Sequence, residues 1–364
     1  MRNFSTDLSL SAQTSYAELF DAAQASDLAP FATLSGSFQK RNIKGREYVY
    51  FSYRDTDGKG RMAYVGPNND RVKELVADYV ASASSGRHQL LREKAAAASA
   101  LGNADMLSKH FLIVQKLSAY GFFKAGGVLV GTHAFAAFGN MLGVHWTSGD
   151  KTLDVDFAHA GKNVSIALPA DLKLSVHDAL TSLEMDLLPV REFSGATGAQ
   201  YRNPEDPELR IDFLTSQVGR SDADGVVQME NLDLALEPLK FMEFSLEGTT
   251  QGVAFSKSGA CIVNLPDPAR YAVHKLIVFG ERPLAQRTKS NKDIVQAAAL
   301  AEWHIASGNG DRLREAWKDA ASRGPGWRKR AEQGRLELVT KYPALASAFA
   351  DPPTPPRPAR RHKP

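Results

Sequence analysis

"VLVGTHAFAAFGNMLG", residues 128–143, followed closely by "TLDVDFA", residues 152–158, holds the reading that decides the fold. An apolar run that ends at Val130 breaks at Gly131-Thr132 and continues as apolar positions at helical spacing, so a strand over Gly127 to Val130 should feed a helix over Thr132 to Met141. In the second stretch a period of two puts Leu153, Val155 and Phe157 on one strand face and Asp154 and Asp156 on the other. Two like charges roughly 7 Å apart along one face repel, so a positive group is expected between them.

Outward from this stretch the element types keep alternating. A strand over Thr152 to Phe157 is followed by a helix over Ser175 to Met185, then by strands near Leu188 to Phe193, Ala199 to Arg202 and Leu209 to Leu214. That order is an α/β (α+β) pattern around a mixed sheet, a core spanning residues 121–230. Before it, Tyr16, Leu19, Phe20 and Ala23 recur at helical spacing, and residues 36–66 alternate and turn through Asp57-Gly58-Lys59-Gly60 as a hairpin with a third strand ahead of it. Residues 1–70 thus form an N-terminal helix plus basic β-hairpin module, and 71–120 read as a helical connector with a break near Gly102-Asn103. After the core, 231–345 read as mainly helical. Asp267-Pro268 starts one helix and Ser290 is expected to cap the next. The Pro- and Arg-rich end, within 346–364, has the composition of a disordered tail.

Composition narrows the setting. The chain has 364 residues, a net charge of +3 and 43% hydrophobic residues, which suits two or three packed domains and leaves any nucleic-acid affinity to local clustering. No apolar stretch is long enough to cross a bilayer, and the start carries no basic segment followed by an apolar run, so a cytoplasmic protein without membrane contact is expected. The one cysteine, Cys261, lies in the strand-like "GACIVNL" and reads as a small buried thiol.

The chemistry rests on acids. A third apolar-flanked carboxylate, Asp212 in "LRIDFLT", points away from Ile211 and Phe213, so a neighbouring strand would bring it to the face of Asp154 and Asp156. Three carboxylates suit Mg²⁺ or Mn²⁺ and the charge of substrate phosphates. At Gly131-Thr132, glycine lets backbone approach a phosphate, while the threonine hydroxyl and the helix start offer donors. His133, next in line, is a further phosphate donor.

Taken in order, Gly131-Thr132, Asp154 with Asp156, and Asp212 resemble the turn, carboxylate pair and third carboxylate of the nucleotidyltransferase fold of the DNA polymerase β superfamily. The wider "TLDVDFA" is similar to the branch that contains the toxin half of abortive-infection toxin-antitoxin systems, and most closely to a bacterial group in which a basic hairpin precedes the core. Thr132 departs from the Ser or Gly usual there. The resemblance implies a metal-dependent enzyme that moves an NMP from an NTP to an acceptor hydroxyl on RNA, tRNA, a protein or a small molecule. It also implies a later lysine, matched by Lys275, a Lys-Asp pair, matched by Lys292-Asp293, and an antitoxin-type protein partner. From the residues alone, Asp293 would also complete a capping box with Ser290.

Two rival readings follow from the same residues. A sugar-nucleotide transferase also uses Asp-x-Asp with a divalent metal, but the Gly-Thr turn upstream and the third acid disfavour it. A non-catalytic nucleic-acid-binding or antitoxin-partnering protein would keep the fold without the chemistry. The hairpin supplies the nucleic-acid candidates: Lys40, Arg41, Lys44, Arg46, Arg54, Lys59 and Arg61 lie among Tyr48, Tyr50, Tyr53 and Tyr64. Cations for phosphates and aromatic faces for bases suit RNA, whereas tyrosines packed on the connector would make the module purely structural.

Overall fold

The computed structural model describes residues 3–27, 36–43, 45–54, 60–70, 72–74, 76–77, 80, 86–148, 152–160, 175–183, 185–191, 197–217, 225–283 and 287–349. Lys44, Lys59 and residues 350–364 lie outside the described residues, as do the side chains of Tyr53, Arg54 and Arg61. The fold is mixed α/β with both parallel and antiparallel strands, as the alternation of elements requires. The chain divides into two compact units, Thr6–Asp267 and Met1–Ser5 with Pro268–Pro364. Among the described residues no helix is long and apolar enough to cross a membrane.

The first unit is built on a mixed sheet. Asp154–His159 runs antiparallel to Gly127–Leu129 on one side and parallel to Arg210–Ser216 on the other. The far edge of Arg210–Ser216 is shared: Thr197–Arg202 pairs antiparallel with its start, and Leu234–Leu239 pairs parallel with its end. The register sets Val155 beside Ile211 and Phe157 beside Phe213, and all four side chains are fully buried. The Phe157 and Phe213 rings stack at 5.4 Å, and Phe122 meets them edge-on at 5.5 and 6.0 Å. Burying each such ring contributes about 2–3 kcal/mol. A slip of one residue would expose these aromatics and drive the acids inward, so the apolar face also fixes where the carboxylates stand.

Two further sheets belong wholly to this unit among the described residues. Gly36–Ile43, Arg46–Arg54 and Gly60–Pro67 form the expected hairpin and third strand, an antiparallel sheet in chain order. Thr250–Ser256 and Gly259–Leu265 form an antiparallel pair that packs on Tyr16, Leu19 and Ala23 of the helix Leu10–Asp27. Cys261 sits on the second of these strands, where burial pushes its thiol up to about 12 against a hydrogen bond with Ser118. The connector holds helices Arg87–Ala100 and Ser108–Ala119, broken at Gly102 in the left-handed region, φ +100°.

The second unit is helical: Pro268–Glu281, Arg287–Ala306, Gly310–Ser322 and Pro325–Lys341, closed by a 3-10 helix over Pro343–Phe349. Gly280 and Gly334 let the first and last of these helices touch backbone to backbone. A Cβ on Gly280 would lie 2.4 Å from the Arg330 carbonyl, and one on Gly334 would lie 2.3 Å from that of Leu276. The second helix begins at Arg287, so Ser290 stands inside its first turns and does not cap it. Arg287, Thr288 and Lys289 are all compatible with helix, and a cap signal is overridden when the residues before it can join.

Candidate active site

Gly131 opens the helix Gly131–Leu142 behind an extended Val130, with no side-chain cap. Its φ is +64°, and a Cβ there would fall 2.0 Å from Oδ2 of Asp156. Backbone conformation and close approach both demand glycine. The Val130 N–H donates to the Asp156 carbonyl at 2.9 Å, so the turn is stitched to the acid strand. Thr132 and His133 follow in the first turn, where helix amides point out of the N-terminus toward an incoming anion.

The parallel register places Asp212 directly beside Asp156, and Arg210 directly beside Asp154, on the face opposite the aromatic core. Asp212 is buried, at 6% exposure, while Asp154 and Asp156 are half-buried. Arg210 lies between Asp154 and Asp212, not between Asp154 and Asp156, the pair for which a positive group is expected. Its Nε lies 2.8 Å from Oδ2 of Asp212 and its Nη2 lies 3.2 Å from Oδ2 of Asp154. The contact with Asp212 is an ion pair out of line for a hydrogen bond, because the Arg210 Nε–H is left without an aligned acceptor. Oδ1 of Asp212 is buried with no hydrogen-bond partner. Burial raises the Asp212 pKa; the Arg210 guanidinium pulls against that and the Asp154 charge adds to it.

Two of the three carboxylates, Asp154 and Asp212, thus share one guanidinium, with Asp156 beside Asp212. The donor set and the orphaned Asp212 oxygen fit a hard divalent cation, which takes carboxylates and fills its shell with water and phosphate oxygens. Among the described residues no three acidic, His or Cys side chains already converge as a metal cluster. Arg210 holds Asp154 and Asp212 in the conformation seen here.

A second cluster borders this one. His110, on the helix Ser108–Ala119, meets His133 at 3.0 Å between Nδ1 and Nε2, and both rings are buried. Burial lowers the His110 pKa from 6.5 to about 4; the Lys109 charge acts in the same direction, while Asp154 and Asp206 oppose it. His110 is therefore neutral at pH 7 and its Nε2 has no hydrogen-bond partner.

A family model described as nucleotidyltransferase matches residues 108–322. The chain belongs to this nucleotidyltransferase family. The matched stretch of this nucleotidyltransferase takes in His110, Gly131, Asp154, Asp156, Arg210 and Asp212, and also Lys275, Lys292 and Asp293. A crystal structure of an antigenic nucleotidyltransferase-like protein from Paracoccidioides brasiliensis is similar over 67% of this chain and 94% of that one, at 19% identity and a TM-score of 0.33. At that score the two folds overlap too loosely for positions to be compared. No curated protein matches the chain.

The remaining residues that the resemblance singled out stand in the helical unit of this nucleotidyltransferase. Lys275 Nζ contacts Oδ1 of Asp293 at 2.9 Å, and Arg282 Nε contacts Oδ2 at 2.7 Å. Burial works to lower the Lys275 pKa, but the Asp293 carboxylate and Tyr271 outweigh it, and the net shift is upward. Lys275 is thereby a fully charged partner of Asp293, whose buried carboxylate has a cation on each oxygen. Lys292 is half-buried on the same helix. Of the nucleic-acid candidates, Lys40, Arg41 and Arg46 are exposed and Tyr48 and Tyr50 half-buried on the N-terminal sheet.

Two residues of the site were not among the sequence candidates. Arg210 had a signal, since it precedes Asp212 by two in an alternating strand and so must share its face. His110 had none, because "SKHFLIV" reads only as an amphipathic helix and its histidine meets His133 through tertiary packing.

Proposed function

We propose that this nucleotidyltransferase transfers an NMP from an NTP to an acceptor hydroxyl at the Asp154, Asp156, Asp212 face. The observation that carries the reading is the side-by-side register of Asp156 and Asp212 against the Gly131 turn, with one carboxylate oxygen buried and unpartnered. Family membership supports the same chemistry. The acceptor oxygen would attack the α-phosphorus as the bond from that phosphorus to the bridging oxygen of the β-phosphate breaks, and pyrophosphate leaves. Asp212, whose burial raises its proton affinity, would take the acceptor's proton. The amides after Gly131 and the Thr132 hydroxyl would hold the leaving phosphates. Asp154, Asp156 and Asp212 would hold Mg²⁺ or Mn²⁺, which when bound supplies charge neutralisation and polarisation of the reacting phosphate.

The test is incubation of the purified chain with each α-labelled NTP in turn, Mg²⁺, and total cell RNA or lysate. Label on an RNA band, a protein band or a small molecule supports transfer and names the acceptor class. Absence of label with every NTP, from a chain that melts cooperatively, overturns it.

A further inference from the structure

The N-terminal sheet has two unlike faces. Val49 and Phe51 are buried at 2% and 3% exposure, with Phe38 edge-on to Phe51 at 5.0 Å. The pleat turns Tyr48 and Tyr50 the other way, where Tyr50 pairs with Tyr64 across the next strand and Tyr48 with Arg41 across the previous one. Tyr64 is 58% exposed and lies 6.1 Å from Tyr48 and 5.5 Å from Tyr50, ring centre to ring centre. The rings are inclined at 52° and 64°, so they do not cover one another's faces. Arg41 sits over Tyr50, 5.7 Å from the ring centre, with Nη2 at 3.0 Å from the Met62 sulfur.

Charge follows the aromatics. Arg41 and Arg46 are exposed on the tyrosine face, whereas Lys40, opposite Val49, turns to the other face; the nearby acid, Glu47, already accepts from the Asn68 side chain at 2.7 Å. From Gly36 to Gly66 the sequence carries Lys40, Arg41, Lys44, Arg46, Arg54, Lys59 and Arg61 against Glu47, Asp55 and Asp57. A membrane or an acidic protein would use the cations and leave three clustered tyrosine rings without purpose. Unpaired bases use both, stacking on rings and on the guanidinium plane while cations follow the phosphates.

We infer that this face binds single-stranded RNA. The tyrosines and Arg41 stack successive bases, and Arg46, on the same face, contacts the backbone. The inference does not depend on nucleotidyl transfer, since binding is read without NTP. Fluorescence anisotropy of the full chain with a labelled oligouridine of about 12 nucleotides tests it. Tyr64→Ala is expected to weaken binding about fivefold to a hundredfold, the range for one lost stacking partner, while Tyr64→Trp retains it. Removing the cations of this face with Arg41→Gln and Arg46→Gln should flatten the salt dependence by about 0.7 of a log unit per lost phosphate contact. Tyr64 is exposed, so its variants leave the sheet's packing face intact, and a melting curve confirms folding. The inference is overturned if wild type does not bind the oligomer, if Tyr64→Ala binds as well as wild type, or if a duplex of equal length binds as tightly.

Discussion

Two acid clusters in this protein use the same residue types to opposite ends. In the helical unit, Asp293 has Lys275 on one oxygen and Arg282 on the other, so one carboxylate meets two cations and every oxygen is matched. In the sheet unit, Asp154 and Asp212 share the guanidinium of Arg210 with Asp156 alongside, and an Asp212 oxygen has no hydrogen-bond partner. The first arrangement is complete without a ligand. The second crowds carboxylates beside a helix start, and Arg210 offsets part of their mutual repulsion. On the proposed function, it is this difference in the balance of charge, and not the burial of an ion pair, that distinguishes the two clusters.

The sharpest way to break that contrast is Asp212→Asn. Transfer should fall on the order of 10³-fold, while the metal-free protein melts no lower than wild type, because ionised Asp212 is disfavoured in the fold. Stabilisation by Mg²⁺ plus NTP should shrink. Full activity in this variant would remove Asp212 from the site.

Asp293→Asn is expected to do the reverse. It leaves Lys275 and Arg282, 14% and 27% exposed, facing a neutral amide. Urea denaturation should report a loss of about 3 kcal/mol, with the melting response to Mg²⁺ unchanged. An unchanged unfolding midpoint would mean that charge matching does not hold this cluster together.

The histidine pair acts only on acidification. The unfolded chain accepts a proton at His110 near pH 6.5, whereas the folded chain resists it down to about 4. Stability present above pH 6.5 is lost as pH falls toward 4, by up to about 3 kcal/mol. Asp212 titrates with the opposite sign, its raised value favouring the fold on acidification. The difference between wild type and His110→Gln isolates the histidine, and the variant should lose less stability between pH 7 and pH 4. Parallel curves would place the acid sensitivity elsewhere.

Much of the candidate site was legible because it lies on alternating strands. "TLDVDF" and "LRIDFL" each assign apolar residues to one face and charges to the other, and the Gly-Thr break marks a turn that only glycine fits. The elements after the core were harder. Leu234–Leu239 joins the sheet, and Thr250–Ser256 pairs with Gly259–Leu265, yet only "GACIVNL" announced itself as a strand. "LALEPL" carries a proline and little alternation, and its place beside Arg210–Ser216 is a matter of long-range pairing.

The amino-acid sequence by itself determined the mixed α/β class, the faces on which Asp154, Asp156 and Asp212 stand, and the aromatic and basic character of the N-terminal hairpin. Those properties follow from the two-residue period of a strand and from composition, which are local. Only the tertiary structure decided that Asp212 stands beside Asp156, that Arg210 reaches Asp154, that His110 meets His133, and that Lys275 pairs with Asp293. Each of these joins residues at least 18 positions apart, and such partners are chosen by the aromatic core and helix packing that fix register, which no local pattern encodes.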